Sequence, residues 1–249
     1  MTVKSSGSLA FSEIQAEFGG SNPISLSEYY AGGANVPAGT IGINGPVPSS
    51  GAIPVSIFYG TVKFTPVTNT YTSGSGNETV PSGATSLTLT VVGAGGSGGN
   101  SFTDPGTDTY NSAGGGGGAG YSTITRSVAY GDWGGTVAYS VGAFAGVSST
   151  TTGSLTAGAV SLTGGGGSSG TSADSGSGGA GGAGGSASGG STTTSGSAGG
   201  NGTASMSSGN PGGAGGASGG TAYGTGGDGA SAPGTAGAVG GGVIIFAWT

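Results

Sequence analysis

The chain has 249 residues, of which 66 are glycine, and it contains neither cysteine nor histidine. Three basic residues (Lys4, Lys63 and Arg126) stand against nine acidic ones, so the net charge is −6. This composition excludes disulfides, thiolate or imidazole metal sites and histidine acid–base chemistry. Three scattered cations cannot neutralise a run of phosphates, so nucleic acid is not an expected partner.

The apolar runs of the sequence are far shorter than the roughly 20 residues that span a bilayer, so we expect no membrane insertion. No signal peptide opens the sequence. We therefore expect assembly inside a cell and release within a particle, rather than export by the standard secretory route.

Residues 1–61 contain a repeated pattern: apolar, any, apolar, Ser, any, apolar. It occurs at Leu9–Ile14, Ile24–Tyr29 and Ile53–Phe58. Two alternating apolar residues suit a short strand with one buried face, and the serine can cap a short helix. We predict three strand-plus-turn units that form a small N-terminal module. Its predicted core consists of Leu9, Phe11, Ile14, Phe18, Ile24, Leu26, Tyr29, Ile53, Val55 and Phe58.

Residues 62–92 are rich in threonine and predict connecting strands. We expect strands at Lys63–Thr72 and Ser86–Val92, with a turn at Ser73–Asn77. In the second strand, leucine and valine alternate with threonine, which gives one apolar and one polar face. Further strands are predicted at Tyr121–Thr125, Thr136–Val141 and Ser154–Thr163.

Residues 93–249 form a glycine-rich domain. Gly93 to Gly242 holds 53 of the 66 glycines, and the hydrophobic strand Gly242–Thr249 closes the chain. Around Gly178–Ser186 and Gly212–Ala217 the glycines repeat with a period of three. Polyproline II also has three residues per turn, so glycine on two of three edges lets neighbouring helices approach until backbone N–H groups meet C=O groups.

We therefore predict a mostly β protein with polyproline II, in which short antiparallel strands clamp a glycine-rich bundle of polyproline II helices. Each helix should have about 8–10 residues, with turns such as Ser191–Ser197 and Asn201–Asn210. A collagen helix is the rival structure. Breaks in the period at Ser186–Ser188 and Thr192–Ser195 disfavour it, because collagen requires glycine strictly at every third position.

Chemical motifs in this domain are weak. Gly93–Gly98 matches the dinucleotide-binding fingerprint, but the residues that follow cannot start the helix that would hold a phosphate. Asp104 and Asp108 could offer carboxylates to calcium, although so few ligands favour a polar turn. No pair of carboxylates suggests glycoside hydrolysis. We expect no enzymatic activity, no cofactor and no metal site.

Two parts of the sequence resemble known families. Phe11–Ile14, Glu17–Gly20, Pro23–Tyr30 and Ser56–Gly60 resemble a short N-terminal module of tail-fibre and minor virion proteins of tailed bacteriophages. Residues 66–249, with the run VPSGATSLTLTVVGAGGSGG, resemble the glycine-rich domain of phage and bacterial surface proteins. The resemblance implies a virion protein of the phage tail. It would attach to other tail proteins through residues 1–61 and display the glycine-rich domain to the extracellular medium.

Aromatic residues in or beside turns are the candidates for receptor binding, because binding residues concentrate on loops of a rigid scaffold and aromatic side chains are favoured anchors. The alternative for each is packing beneath its own loop. For Tyr139, Phe246 and Trp248, which lie within strand patterns, packing is favoured. The candidates are Phe102, Tyr110, Trp133, Phe144 and Tyr223.

The resemblance implies an adhesin or tail-fibre component for host attachment, which binds a bacterial outer-surface protein or glycan as a monomer or a homotrimer. The alternative is a purely architectural virion or filament subunit without host-receptor recognition. An ice-binding protein is a third hypothesis, against which the phage-like N-terminus weighs. Self-association distinguishes the first two hypotheses.

Overall fold

The computed structural model describes residues 2–144, 146–205, 211–219 and 222–249. An N-terminal unit of short helices is followed by two five-stranded sheets, whose strand pairs are all antiparallel, and by glycine-rich segments. The prediction of a mostly β protein with antiparallel strands is confirmed.

The N-terminal unit is built from helical turns. Helix α1 spans Phe11–Phe18, two 3₁₀ turns span Leu26–Tyr29 and Val55–Phe58, and β1 (Ile41–Gly42) pairs with β2 (Gly45–Pro46). In its core, the Phe58 ring lies edge-on to the rings of Phe18 and Tyr29, with centroids 6.1 and 6.2 Å apart. The other buried apolar residues of this core are Val3, Ile14, Val36 and Val47.

The strands predicted for the three N-terminal repeats are therefore wrong. In each repeat the second and third apolar residues lie three positions apart, and this spacing places them on one face of a helical turn. The prediction of Phe11 as a core residue is also wrong, because Phe11 begins α1 and remains 40% exposed. The predicted helix cap Ser12 lies inside α1, and Glu13 instead accepts the Ala10 N–H at 2.8 Å. The remaining predicted core residues pack half-buried around the cluster: Leu9, Ile24, Leu26, Ile53 and Val55.

Two five-stranded sheets follow, in the orders β15-β8-β5-β16-β3 and β14-β13-β10-β9-β4. The described residues also form the two-stranded ribbons β6-β7 and β11-β12 and a 3₁₀ turn at Tyr130–Asp132. The strands are β3 Val67–Tyr71, β4 Ser75–Thr79, β5 Ser86–Val92, β6 Phe102–Asp104, β7 Thr109–Asn111, β8 Tyr121–Ser127, β9 Thr136–Ser140, β10 Ser149–Thr152, β11 Ser154–Leu155, β12 Gly158–Ala159, β13 Leu162–Gly164, β14 Ala187–Ser188, β15 Thr192–Thr194 and β16 Val243–Trp248.

The two hydrophobic strands that flank the glycine-rich region are direct neighbours. β16 pairs with β5 along its whole length, from Val243 opposite Val92 to Trp248 opposite Leu87. β5 has the predicted bounds, and its residues Leu87, Leu89 and Val91 belong to the core between the two sheets. Val92 instead belongs to a small separate cluster with Ala119 and Val243. Other predictions are wrong. Ser75–Asn77 of the predicted turn belongs to strand β4, and Thr192–Thr194 forms an edge strand on β8 rather than a loop. The single strand predicted at Ser154–Thr163 is instead the hairpin β11-β12 followed by the start of β13.

Between β5 and β16, the described glycine-rich residues include eight segments that hydrogen-bond to one another. Neighbouring segments pair at every third residue, as in Gly165 N–H to Ser186 O (2.6 Å), Ser168 to Ala183 (2.8 Å) and Thr171 to Ala180 (2.9 Å). Residues 201–205, predicted as part of a loop, belong to one of these segments, and residues 206–210 of that loop lie outside the described residues. We number the segments 1 (93–100), 2 (112–120), 3 (165–173), 4 (177–186), 5 (196–205), 6 (211–219), 7 (224–232) and 8 (235–242).

Segment 2 occupies the centre, and all nine of its residues are buried. Its N–H groups donate in rotation to segments 5, 7 and 3; for example, Gly115, Gly116 and Gly117 donate to Gly200 (2.9 Å), Gly227 (2.8 Å) and Ser168 (2.9 Å). The C=O groups of the same three residues accept from Gly182, Gly216 and Gly96 of segments 4, 6 and 1, each at 2.8 Å. Segment 2 therefore pairs its backbone with six neighbours.

This arrangement explains the uninterrupted glycine run Gly114–Gly118. A Cβ atom on any of these five residues would lie 1.9 to 2.2 Å from a carbonyl oxygen of a neighbouring segment. In an outer segment only two of every three residues face neighbouring segments. In segment 4, for example, Gly181 and Gly182 lie against neighbours, whereas the third residue, Ala183, is exposed. A five-glycine run thus marks the central segment, and the Gly-Gly-X pattern marks an outer one.

Candidate binding surface at the distal loops

The glycine-rich segments have two different ends. At one end, β5 and β8 adjoin segments 1 and 2, and β16 follows segment 8. At the other end, which we call the distal end, the segments are joined by loops that include residues 101–111, 174–176 and 233–234. The N-terminal unit touches the far ends of the strands, where Gly39 approaches Thr85 and Gly60 approaches Tyr130. The N-terminal unit and the distal loops therefore lie at opposite ends of the sheets and segments.

The ribbon β6-β7 forms the distal loop at residues 101–111. Its register pairs Phe102 with Asn111 and Thr103 with Tyr110. Residues directly opposite each other share a face of the ribbon, so Phe102 and Tyr110 lie on opposite faces. The turn between the strands is held by the Asp104 carboxylate, which accepts the Gly106 N–H at 2.9 Å.

Asn111 joins its own distal loop to the loop at 174–176 and to the end of segment 5, and it is only 2% exposed. Its Nδ2 donates to the carbonyl oxygen of Asp174, and its Oδ1 accepts the Ser205 N–H at 3.3 Å. The neighbouring Tyr110 N–H donates to the Ser205 carbonyl oxygen at 3.0 Å. Because a buried amide is costly to leave unpaired, these bonds fix the ribbon against the ends of segments 3 and 5.

The Asp174 carboxylate shapes the second distal loop. Its Oδ1 accepts from the N–H groups of Gly176 and Ser177 at 2.9 Å each and from the Ser177 hydroxyl at 3.1 Å. These hydrogen bonds favour the ionised form and hold the pKa of Asp174 below its ordinary value. The loop is thus ordered by a charged group, although it is fully accessible to solvent.

A cleft of about 290 Å³ opens between these loops. Hydroxyl, amide and backbone groups line it, and none of the lining side chains is charged. Asp104, Asp108 and Asp174 belong to the same loops, whereas Arg126, the one basic residue after Lys63, lies in β8 away from the distal end. The surroundings of the cleft are therefore negative. Its lining residues are Thr109, Asn111, Ser175, Gly176, Ala204 and Ser205.

The other three aromatic candidates lie elsewhere. Trp133 is at the end near the N-terminal unit, where its Nε1 donates to the Ala84 carbonyl oxygen at 2.9 Å and its ring packs on the core of the sheets. Phe144 is 75% exposed in the turn after β9, and Tyr223, 39% exposed, precedes segment 7 at the sheet end. The structure therefore brings only Phe102 and Tyr110 of the five candidates into one element.

Sequence reasoning missed Asn111, Asp174 and Ser205, which organise the distal loops. Asn111 is 63 residues from Asp174 and 94 from Ser205, so no local pattern links them. The available signal was their position, because each is a polar residue at the edge of a glycine repeat.

Within the described ranges, no three histidine, cysteine, aspartate or glutamate residues come close enough together to hold a metal ion. No helix in the described part of the chain has the length and apolar character needed to cross a membrane. Comparison with known protein families gives no match, and comparison with curated proteins gives none either.

Proposed function

We propose that this chain is a structural protein of a bacteriophage tail, an adhesin or fibre component that contacts the bacterial surface through its distal loops. The observation that carries the proposal is the opposite placement of two unlike surfaces. The N-terminal unit, which resembles an attachment module, lies at one end, and the distal loops around Tyr110 and Asn111 lie at the other. A protein that bridges a particle and a cell needs such a polarity.

We further infer that segments 1–8 are polyproline II helices and form one bundle. Two observations support this: the hydrogen bonds recur at every third residue, and the outer segments repeat burial with the same period. Polyproline II has three residues per turn and no internal hydrogen bonds, so its backbone groups are available to neighbouring helices. Segment 2, with its six hydrogen-bonded neighbours, would give the distal loops a stiff support.

Residues 1–61 would attach the protein to other tail proteins. Apolar side chains that stay exposed are the expected contacts, since such groups are often covered by a partner. Phe11 and Ile43 have this character in the N-terminal unit. The mechanism is binding alone, with one end for the particle and the other for a bacterial outer-surface protein or glycan.

Adsorption of the fluorescently labelled full chain to a panel of bacterial strains tests the proposal. On a strain that binds the chain, Tyr110→Ala should weaken binding by about 2 kcal/mol if this ring is an anchor. The matched control is Tyr130→Ala, because Tyr130 is an exposed tyrosine beside the N-terminal unit. Equal effects of both substitutions, or adsorption to no strain in a panel of wide coverage, would count against the adhesin.

A purely architectural subunit is the second candidate, and the outer faces of segments 4 and 6 favour it. Ala180, Ala183, Ala214 and Ala217 are exposed there, and such small uncharged side chains would allow a second copy to approach closely. Sedimentation of the full chain over a range of concentrations separates the two candidates. Open-ended polymers indicate an architectural subunit, whereas a stable monomer or trimer that adsorbs to cells indicates an adhesin.

A further inference from the structure

The cleft between the distal loops is formed before any ligand arrives. Asn111 fixes β7 against the Asp174 and Ser205 backbones, and the Asp174 carboxylate fixes its own turn through three hydrogen bonds. The loops at 101–111 and 174–176 and the end of segment 5 all contribute to the wall of the cleft. Preorganisation of this kind reduces the entropy lost on binding.

The lining of the cleft selects against most ligand classes. Thr109, Ser175 and Ser205 contribute hydroxyl groups, and Asn111 contributes an amide. No lysine or arginine occurs in any distal loop, and three aspartates belong to the loops that form the cleft, so an anionic ligand would be repelled. Oδ1 of Asp174 already accepts three hydrogen bonds from its own turn, so this oxygen is not free to bind a ligand. Neutral ligands with many hydroxyl groups fit this chemistry.

The volume of the cleft and an aromatic residue near it restrict the class of ligand further. The volume of about 290 Å³ lies just below the range of sites for drug-sized molecules. A single sugar ring is therefore a suitable occupant. Phe102 is paired with Asn111, so the two residues share one face of the ribbon. Because Asn111 lines the cleft, this face of the ribbon also carries an aromatic ring.

We propose that this cleft is a subsite for one neutral sugar unit of a surface glycan. The proposal rests on the adhesin function proposed above, since it names the chemistry of what the distal end binds. Hydroxyl and backbone groups of the cleft would hydrogen-bond the sugar hydroxyls.

Amide NMR spectra of the isotope-labelled full chain, titrated with single sugars, test the site. Glucose, galactose and N-acetylglucosamine are the neutral probes, and glucosamine and N-acetylneuraminic acid are the cationic and anionic ones. At least one neutral sugar should shift the amides of Thr109, Asn111 and Gly176 in a saturable manner. Shifts confined to other regions, no saturable shift with any neutral sugar, or tighter binding of a charged sugar would overturn the proposal.

Ala204→Trp should fill the cleft and weaken the neutral sugar about tenfold or more. Ala198→Trp is the matched control, because Ala198 and Ala204 are both exposed and occupy equivalent positions in the three-residue period of segment 5. Equal weakening by both variants would also overturn the site. Cell adsorption by a chain without sugar binding would refute the cleft but not the adhesin, and sugar binding without adsorption to any strain would refute the adhesin but not the cleft.

Discussion

Trp248 donates its indole N–H to a carboxylate oxygen of Glu78 at 3.0 Å, across 170 residues of sequence. The bond joins β16 of one sheet to β4, the edge strand of the other. Asn69 Nδ2 donates to the same oxygen at 2.7 Å, and the Tyr71 hydroxyl donates to the second oxygen at 2.6 Å. This buried carboxylate is therefore satisfied by three neutral donors, and Glu78 stabilises the contact between the sheets.

Glu78→Gln should destabilise the fold by about 1 to 3 kcal/mol, because an amide cannot accept all three hydrogen bonds. Chemical denaturation followed by tryptophan fluorescence measures the effect. Glu28→Gln, at an exposed glutamate, is the control and should be nearly silent. Equal stability of the two variants would show that the Glu78 network contributes nothing to folding.

The same network sets a stability limit at high pH. The hydrogen bond to Glu78, with burial, raises the pKa of Tyr71. In the unfolded chain this phenol ionises near pH 10, whereas the folded chain keeps the proton to higher pH. The contribution of Tyr71 to the free energy of unfolding is therefore fully present below about pH 10 and is lost as the pH rises further. Burial also raises the pKa of Tyr29. Ultraviolet titration should therefore find late-ionising tyrosines, of which Glu78→Gln moves Tyr71 to lower pH and leaves Tyr29 unchanged.

Gly116→Ala should destabilise the glycine-rich domain by about 3 kcal/mol or more. The new methyl group would lie 1.9 Å from the Gly96 carbonyl oxygen, and no flexible side chain could move aside. Gly241→Ala is the matched control, because a Cβ there meets nothing within 4 Å. Thermal unfolding of both variants measures the difference. Similar melting temperatures would mean that the centre of the domain is looser than these contacts require.

Asp228→Ala should expose one backbone group of the outer surface. The Asp228 carboxylate accepts the Gly215 N–H at 2.7 Å and thereby links segment 7 to segment 6. We expect faster hydrogen exchange at Gly215 and a loss of about 1 kcal/mol. Asp228→Asn retains an acceptor and should restore protection. Ser186→Ala, at an exposed position of segment 4, should leave exchange unchanged.

The order of the Asp174 loop should depend on acidity. Hydrogen bonds from Gly176 and Ser177 lower the pKa of Asp174 in the folded chain. Asp174 therefore stabilises the loop fully when the pH is above its pKa in the unfolded chain, about 3.9. This stabilisation is lost as the pH falls through its lower pKa in the folded chain. Amide chemical shifts of Gly176 and Ser177 should follow this titration. In Asp174→Asn the shifts should not change over this range, and persistence of the same titration would assign it to another group.

A shortened chain that begins at residue 62 should fold and keep its distal loops. The N-terminal core and the core between the sheets are separate clusters with no residue in common. If the proposed function is correct, this chain still adsorbs to cells but is not incorporated into particles. Circular dichroism and adsorption measure the two properties. Failure to fold would show that contacts such as that between Gly39 and Thr85 are essential.

The sequence was most informative where one physical effect dominated. Alternation in Ser86–Val92 predicted a strand with the observed bounds, because one face of β5 is buried. The strand prediction for the N-terminal repeats was wrong because it used the alternation of the first two apolar residues. The three-residue spacing of the second and third apolar residues favours a helical turn. The edge strands β4 and β15 are polar and mostly exposed, so burial left no pattern in their sequences. The distal site depends on the contacts of Asn111 with Asp174 and Ser205, which are distant in sequence and leave no local pattern.

The central position of segment 2 also constrains the order of folding. Of its six hydrogen-bonded neighbours, only segment 1 precedes it in the chain, and the other five follow it as far as residue 232. During synthesis, residues 112–120 would therefore be made long before most of their partners exist. Contacts of such long sequence separation slow folding, because loop closure precedes the gain from pairing. The glycine-rich domain should form late and cooperatively, once the C-terminal strand β16 is available to pair between β5 and β3.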